Sequence, residues 1–216
     1  MKVMDDTRVY VGRKILQNKL RNLKRDTRVC NIEEARTVGI IYNATNSVSF
    51  EIIKDFTKIL AQKKIEVSVL GYVHSKKLID HYLYRKGFDF FTKNNLNWYN
   101  RPKSDTVDDF MKKPYDILIN LSLERYYPIQ YVLALSPSSF KVGKYFDEPN
   151  YMDLMIDIEK EKKAMEDVKE EIARDKVVDE QNKEIEKEVE EKVDIELQLS
   201  FLINQIMHYL SIIKSN

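Results

Sequence analysis

YDILINLS (residues 115–122) and FKVG (residues 140–143) decide how this chain is read. An aspartate, Asp116, leads into the apolar run Ile117-Leu118-Ile119, which closes on Asn120, Leu121 and Ser122. Pro128 then suits the first turn of a helix running to Leu135, because its missing N–H and fixed φ cost nothing there. Ser136-Pro137-Ser138-Ser139 stops that helix, and FKVG is a second short strand. Strand, helical crossover and strand imply parallel neighbours in a sheet covered on both faces. The acidic start of YDILINLS is expected to be structural, with Asp116 capping the turn from Pro114. A site, if present, belongs at the Ser122 end.

Working outward, TVGIIY (residues 37–42) is a buried β-branched strand. NATNS (residues 43–47) is a polar turn rich in N-cap residues. A helix follows to about Lys63, with Val48, Ile52, Phe56, Ile59 and Leu60 on one face. IEVSVLGYV (residues 65–73) completes a right-handed β-α-β unit. Residues 76–85 read as a short helix, and FDFFT (residues 88–92) as a brief third strand. NNLNWYNRP (residues 94–102) is a loop carrying the single tryptophan, Trp98. Residues 106–112 form a short helix capped by Ser104 or Asp105. YMDLMID (residues 151–157) reads as an edge strand.

The flanks are helical. Residues 8–24 are amphipathic, with Val9, Leu16, Leu20 and Leu23 on one stripe and basic residues between. Residues 158–193 are dominated by Glu and Lys. Met165, Val168 and Ile172 begin an apolar seam that meets Asp175, Asp179 and Glu186, which makes a long solvated helix or at best a broken coiled coil. Residues 197–213 are apolar on most sides and demand cover from the sheet or from a partner. The expected organisation is a basic helix over 1–30, an α/β domain over 36–157, a charged helix over 158–193 and an apolar helix over 194–216.

Composition narrows the function classes. Of 216 residues, 43% are hydrophobic, enough for a core, and 33% are charged, yet the net charge is only +1. Nine Lys/Arg lie in the first thirty residues, while residues 159–192 lean acidic. That bipolar balance argues against a general polyanion binder. With only Tyr10 as a stacking ring in the basic helix, nucleic acid is not an expected partner, and RNA binding by that helix is the third-ranked reading. Cys30 is the single cysteine, so no internal disulfide or Cys-rich metal site forms. No secretory h-region and no membrane span are read from the sequence, so the chain is expected in the cytoplasm.

Strand ends are where open parallel sheets bind ligands. That rule selects Thr45, Asn46 and Ser47, which would offer hydroxyls and helix N–H groups to an anion. It also selects His74, Ser122 and Lys144. Each has a simpler explanation as a cap, a surface group or a solvated lysine. Lys141 likewise reads as solvated, and Glu124-Arg125 as a surface ion pair. No G-x-G-x-x-G, P-loop, nucleophile elbow or HExxH pattern occurs. His74, His81 and His208 are scattered and make no zinc site. No catalytic residue, metal or cofactor is expected.

The order TVGIIYNAT, VSVLGYV, LNWYNRP, FMKKPYDILINLS, ALSPSSFKVGKY, YMDLMI and FLINQIMHYLSII resembles a family of uncharacterised Bacteroidota-type bacterial proteins, a domain of unknown function. The resemblance covers residues 36–158 and 197–213, with the charged segment as an insertion, and implies a Rossmann-like core without an assigned activity. YDILINLS and KVG are also similar to the N-terminal domain of heptosyltransferase-type glycosyltransferases. This chain departs from that pattern. Residues 43–47 hold no carboxylate, and no second domain to hold a nucleotide sugar is expected within these residues.

The expected fold is α/β: a Rossmann-like three-layer sandwich with a mostly parallel sheet of about five strands and helical extensions at both ends. The leading functional expectation is a non-enzymatic cytosolic interaction or structural module, forming a homodimer or meeting a protein partner through its C-terminal helices. The alternative is a small-molecule or nucleotide-sugar binder, or a degenerate glycosyltransferase-like domain.

Overall fold

The computed structural model describes residues 2–77, 87–147, 150–159 and 183–215. Most of the expected 76–85 helix and residues 160–182 of the charged segment lie outside these. The elements run α1 (Lys2–Leu20), β1 (Thr37–Asn43), α2 (Ser47–Gln62), β2 (Glu66–Val73), β3 (Phe88–Thr92), α3 (Asp105–Lys112), β4 (Ile117–Asn120), α4 (Tyr127–Leu135), β5 (Phe140–Lys144), β6 (Leu154–Ile156) and α5 (Lys183–Ile212). With FDFFT and YMDLMID both enlisted, the sheet has six strands, in the order β3-β2-β1-β4-β5-β6. Every neighbouring pair is parallel. This is a Rossmann-like sheet, and its order reverses between β1 and β4.

Alternation along the strands builds two cores. Val38, Ile40, Tyr42, Ile117, Ile119, Phe140 and Val142 face α2 and α5. From α2 come Phe50, Ile53, Phe56 and Leu60; from α5 come Leu199, Leu202, Ile203, Ile206 and Leu210. These spacings place one apolar stripe on each helix. Ile41, Leu70, Tyr72, Phe91 and Leu118 face α3 and α4, which contribute Val107, Phe110, Ile129, Val132 and Leu133. The result is the expected three layers. Outside them, α1 lies on α4 and buries Leu16 against Tyr131 and Ala134.

Local chemistry fixes the joints. Asn46 caps α2 by accepting from Ser49 N at 2.8 Å, and Ser104 caps α3 by accepting from Val107 N. α2 ends in a Schellman motif: Lys64 N donates to Ala61 O, and Ile65 N to Leu60 O. Its left-handed position carries Lys64, at φ 63°, where glycine is the usual occupant. Asn31 ties the connector to the end of α5, its Nδ2 donating to Ser211 O and Ile213 O.

Asp116 fastens the start of β1 to β4. Its Oδ2 accepts from Arg36 N and Thr37 N, both at 2.9 Å, and from Thr37 Oγ1 at 3.0 Å. It therefore bridges two strands rather than capping the turn at Pro114. Burial opposes its ionisation, but these bonds and the Arg28 charge outweigh burial and hold its pKa below the usual value.

Candidate functional site

The β1/β4 reversal lies where ligands of such sheets are held, beyond the carboxyl ends of the strands. Here β1 ends on Asn43 and β4 on Asn120, and the turns after them supply the side chains.

Asn43 Oδ1 accepts from Thr45 Oγ1 at 2.6 Å and from Thr45 N at 3.3 Å. Thr45 Oγ1 accepts from His74 N at 3.0 Å, joining this turn to the end of β2. Asn43 Nδ2 donates to Tyr126 Oη at 3.2 Å, and Tyr126 Oη donates to Glu124 Oε2. The His74 ring stands 5.0 Å from the Tyr126 ring, and His74 Nδ1 bonds the Tyr72 hydroxyl at 3.2 Å. Tyr72 and Tyr126 pack edge to face at 5.6 Å. One connected set of side chains therefore spans the crevice.

The phenols of this set stay protonated. Burial pushes Tyr72 up to about 12. Burial, followed by the Glu124 carboxylate, raises Tyr126 as well. Near neutral pH these phenols are therefore neutral O–H groups that can both donate and accept hydrogen bonds. Among the described residues, no group of three or more His, Cys, Asp or Glu could hold a metal ion.

The expected site residues divide. Thr45 and His74 meet directly. Asn46 is the helix cap, and Ser47 is the exposed first residue of α2. Ser122 is buried; its N donates to Asn120 Oδ1 at 3.2 Å. The Ser122 hydroxyl and Asn120 Nδ2 are both buried without a hydrogen-bond partner among the described residues. Gly143 makes room for Asn120: a Cβ on Gly143 would lie 2.9 Å from Asn120 Cβ. Lys144 is buried and donates to Leu123 O at 3.2 Å and Glu159 Oε1 at 2.9 Å.

Two other sequence readings are corrected. Glu124 and Arg125 do not pair with each other: Glu124 takes the Tyr126 hydroxyl, while Arg125 donates to Asp147 O at 2.9 Å. Lys141 is not solvated. It is 1% exposed and donates to Leu133 O at 2.6 Å. Burial, with the Arg25 charge adding to it and Asp153 opposing, pushes its pKa down to about 7. The sequence also gave no sign that Tyr126 is the centre of the crevice. It is an aromatic after a strand end, and its contacts with Asn43, Tyr72 and His74 are non-local.

The chain belongs to a family of unknown function (DUF6913), whose model matches residues 8–174. The match takes in most of α1 and the start of the charged segment, and it stops before residues 197–213. No curated protein matches the chain. No solved structure matches it either.

Proposed function

We propose that this chain is a non-enzymatic cytosolic interaction module that pairs with a second copy of itself across β6 and α5. The carrying observation is a contrast in how polar and apolar groups are used. Asn43, Thr45, His74, Tyr126 and Glu124 bond to one another in the crevice where a Rossmann-like sheet would hold a substrate. At the β6 edge, a groove of about 430 Å³ is lined mainly by apolar side chains, Leu154, Met155, Ile156, Phe201 and Tyr209, with Asp157 and Gln205 among them. Met155 and Tyr209 are 40% and 42% exposed there.

A second copy suits this edge. An edge strand carries unpaired N–H and C=O groups, and a two-fold axis beside it presents the same strand and helix face back to themselves. The free, buried thiol of Cys30 fits a reducing compartment. Sedimentation velocity over a concentration series tests the pairing. The full chain is expected to dimerise in the micromolar range, and Met155→Glu with Tyr209→Glu to keep it monomeric. A wild-type monomer at the highest concentration would sink the proposal.

A second reading, a small-molecule or nucleotide-sugar site beside β4, rests on one observation. Asn120 Nδ2 and Ser122 Oγ are buried and unpartnered there. A thermal-shift screen of nucleotides and nucleotide sugars tests it, and a flat response counts against it.

A further inference from the structure

The contact of α1 with α4 encloses a second recess, lined by none of the residues expected to form a site. Gly12 allows the close approach. A Cβ there would lie 2.6 Å from Tyr127 Oη and 2.8 Å from Tyr99 O, so a larger residue would lift α1 away. Next to this contact lies a cavity of about 230 Å³. Val9 and Leu16 of α1 form an apolar wall, and Tyr127 and Tyr151 stand on the other side.

Two guanidinium groups reach this cavity, Arg13 from α1 and Arg125 from the turn before α4. Arg125 is anchored by its bond to Asp147 O. Burial and then the positive charge of Arg13 make Arg125 harder to keep protonated, with Tyr151 and Asp147 opposing. Arg13 has no hydrogen bond or ion pair among the described residues. Two guanidinium groups lining one cavity offer an anion charged hydrogen-bond donors from two sides.

A third group points to a ligand. Gln130 is 6% exposed and lines the same cavity, yet its carboxamide makes no hydrogen bond among the described residues. The Tyr127 hydroxyl is buried without a hydrogen-bond partner among the described residues. Burial raises its pKa, so it remains an O–H donor. Buried polar groups are normally satisfied, so the buried Tyr127 hydroxyl at this cavity marks where a partner is missing. Guanidinium, amide and phenol donors beside a small apolar wall match an oxyanion on a compact apolar body.

We propose that the α1/α4 cavity binds a small organic anion, its carboxylate or phosphate held by Arg13, Arg125 and Gln130 and its apolar part lying against Val9 and Leu16. This site is independent of pairing through β6.

Isothermal titration of the full chain with phenyl phosphate, benzoate, inorganic phosphate and neutral benzyl alcohol tests the proposal. At least one of the two organic anions is expected to bind saturably. It should bind more tightly than inorganic phosphate, and benzyl alcohol should not bind. Preference for phenyl phosphate assigns a phosphate ligand; preference for benzoate assigns a carboxylate. Arg13 is exposed, so Arg13→Gln keeps the fold and is expected to weaken binding about tenfold or more. Gln130→Leu, a second and independent probe, should weaken it in the same direction. Failure of both organic anions to bind, equal binding of benzyl alcohol, or affinity unchanged in Arg13→Gln overturns the proposal.

Discussion

At the amino end of β4, the Asp116 carboxylate collects two backbone N–H groups and a hydroxyl from β1. At the carboxyl end, three residues beyond the apolar run, the Ser122 hydroxyl is buried and, like Asn120 Nδ2, bonds nothing among the described residues. Both ends join the same two strands. The first uses polarity to fix register, because a displaced strand would strand a carboxylate. The second carries polarity that the fold alone does not use. A polar residue at a strand end thus says little until its partners are counted.

Removing Asp116 should do the most damage. Asp116→Ala leaves the β1 donors without their acceptor, and a loss of about 3 kcal/mol is expected in urea unfolding. Acid should reproduce part of that loss. The folded pKa lies below the unfolded one, so the contribution is whole above the ordinary value of 3.8 and fades as pH falls through the folded pKa. Wild type should therefore lose more stability than Asp116→Ala on acidification below that value. Equal slopes would remove the clasp from the account.

Lys141, beside β4 and in register with Leu118, tests the middle of the sheet. Its folded pKa of about 7 lies below the unfolded 10.5, so between them the unfolded chain binds more protons. Stability is then lowest below pH 7 and rises toward pH 10.5, by at most about 1.4 kcal/mol per pH unit. Lys141→Met should flatten that rise, measured as the difference between the two proteins' unfolding free energies across the window. Parallel curves would show that the ammonium is not desolvated as its burial implies.

Ser122→Ala is the smallest change and the sharpest contrast with Asp116. Deleting a buried hydroxyl that has no partner should raise stability by about 1 kcal/mol. A loss of similar size would mean that the carboxyl end is stitched as firmly as the amino end.

Much of the fold was legible because strands buried on both faces need unbroken apolar runs, and TVGIIY, VSVLGYV and YDILINLS are such runs. The helix caps were legible for a local reason: Asn46 and Ser104 act within three residues of themselves. The polar geometry was not. Asn43 meets Tyr126 and Arg13 meets Arg125 only after the sheet and α1 have assembled. Lys144 was within reach of pattern reasoning. Alternation along β5 sets it on the face of Phe140 and Val142, away from Gly143, which packs on Asn120.

The absence of antiparallel pairs in this sheet bears on how fast the chain reaches it. β1 and β2 join across one short crossover, but β1 and β4 pair Val38 with Ile117, closing a loop of most of the domain. Such closure is entropically expensive before it is rewarded, which places parallel sheets of this order among the slower folders. The Asp116 clasp sits on that late junction. Its deletion should accordingly quicken unfolding more than it slows folding, and a chevron plot would show the change mainly in the unfolding limb.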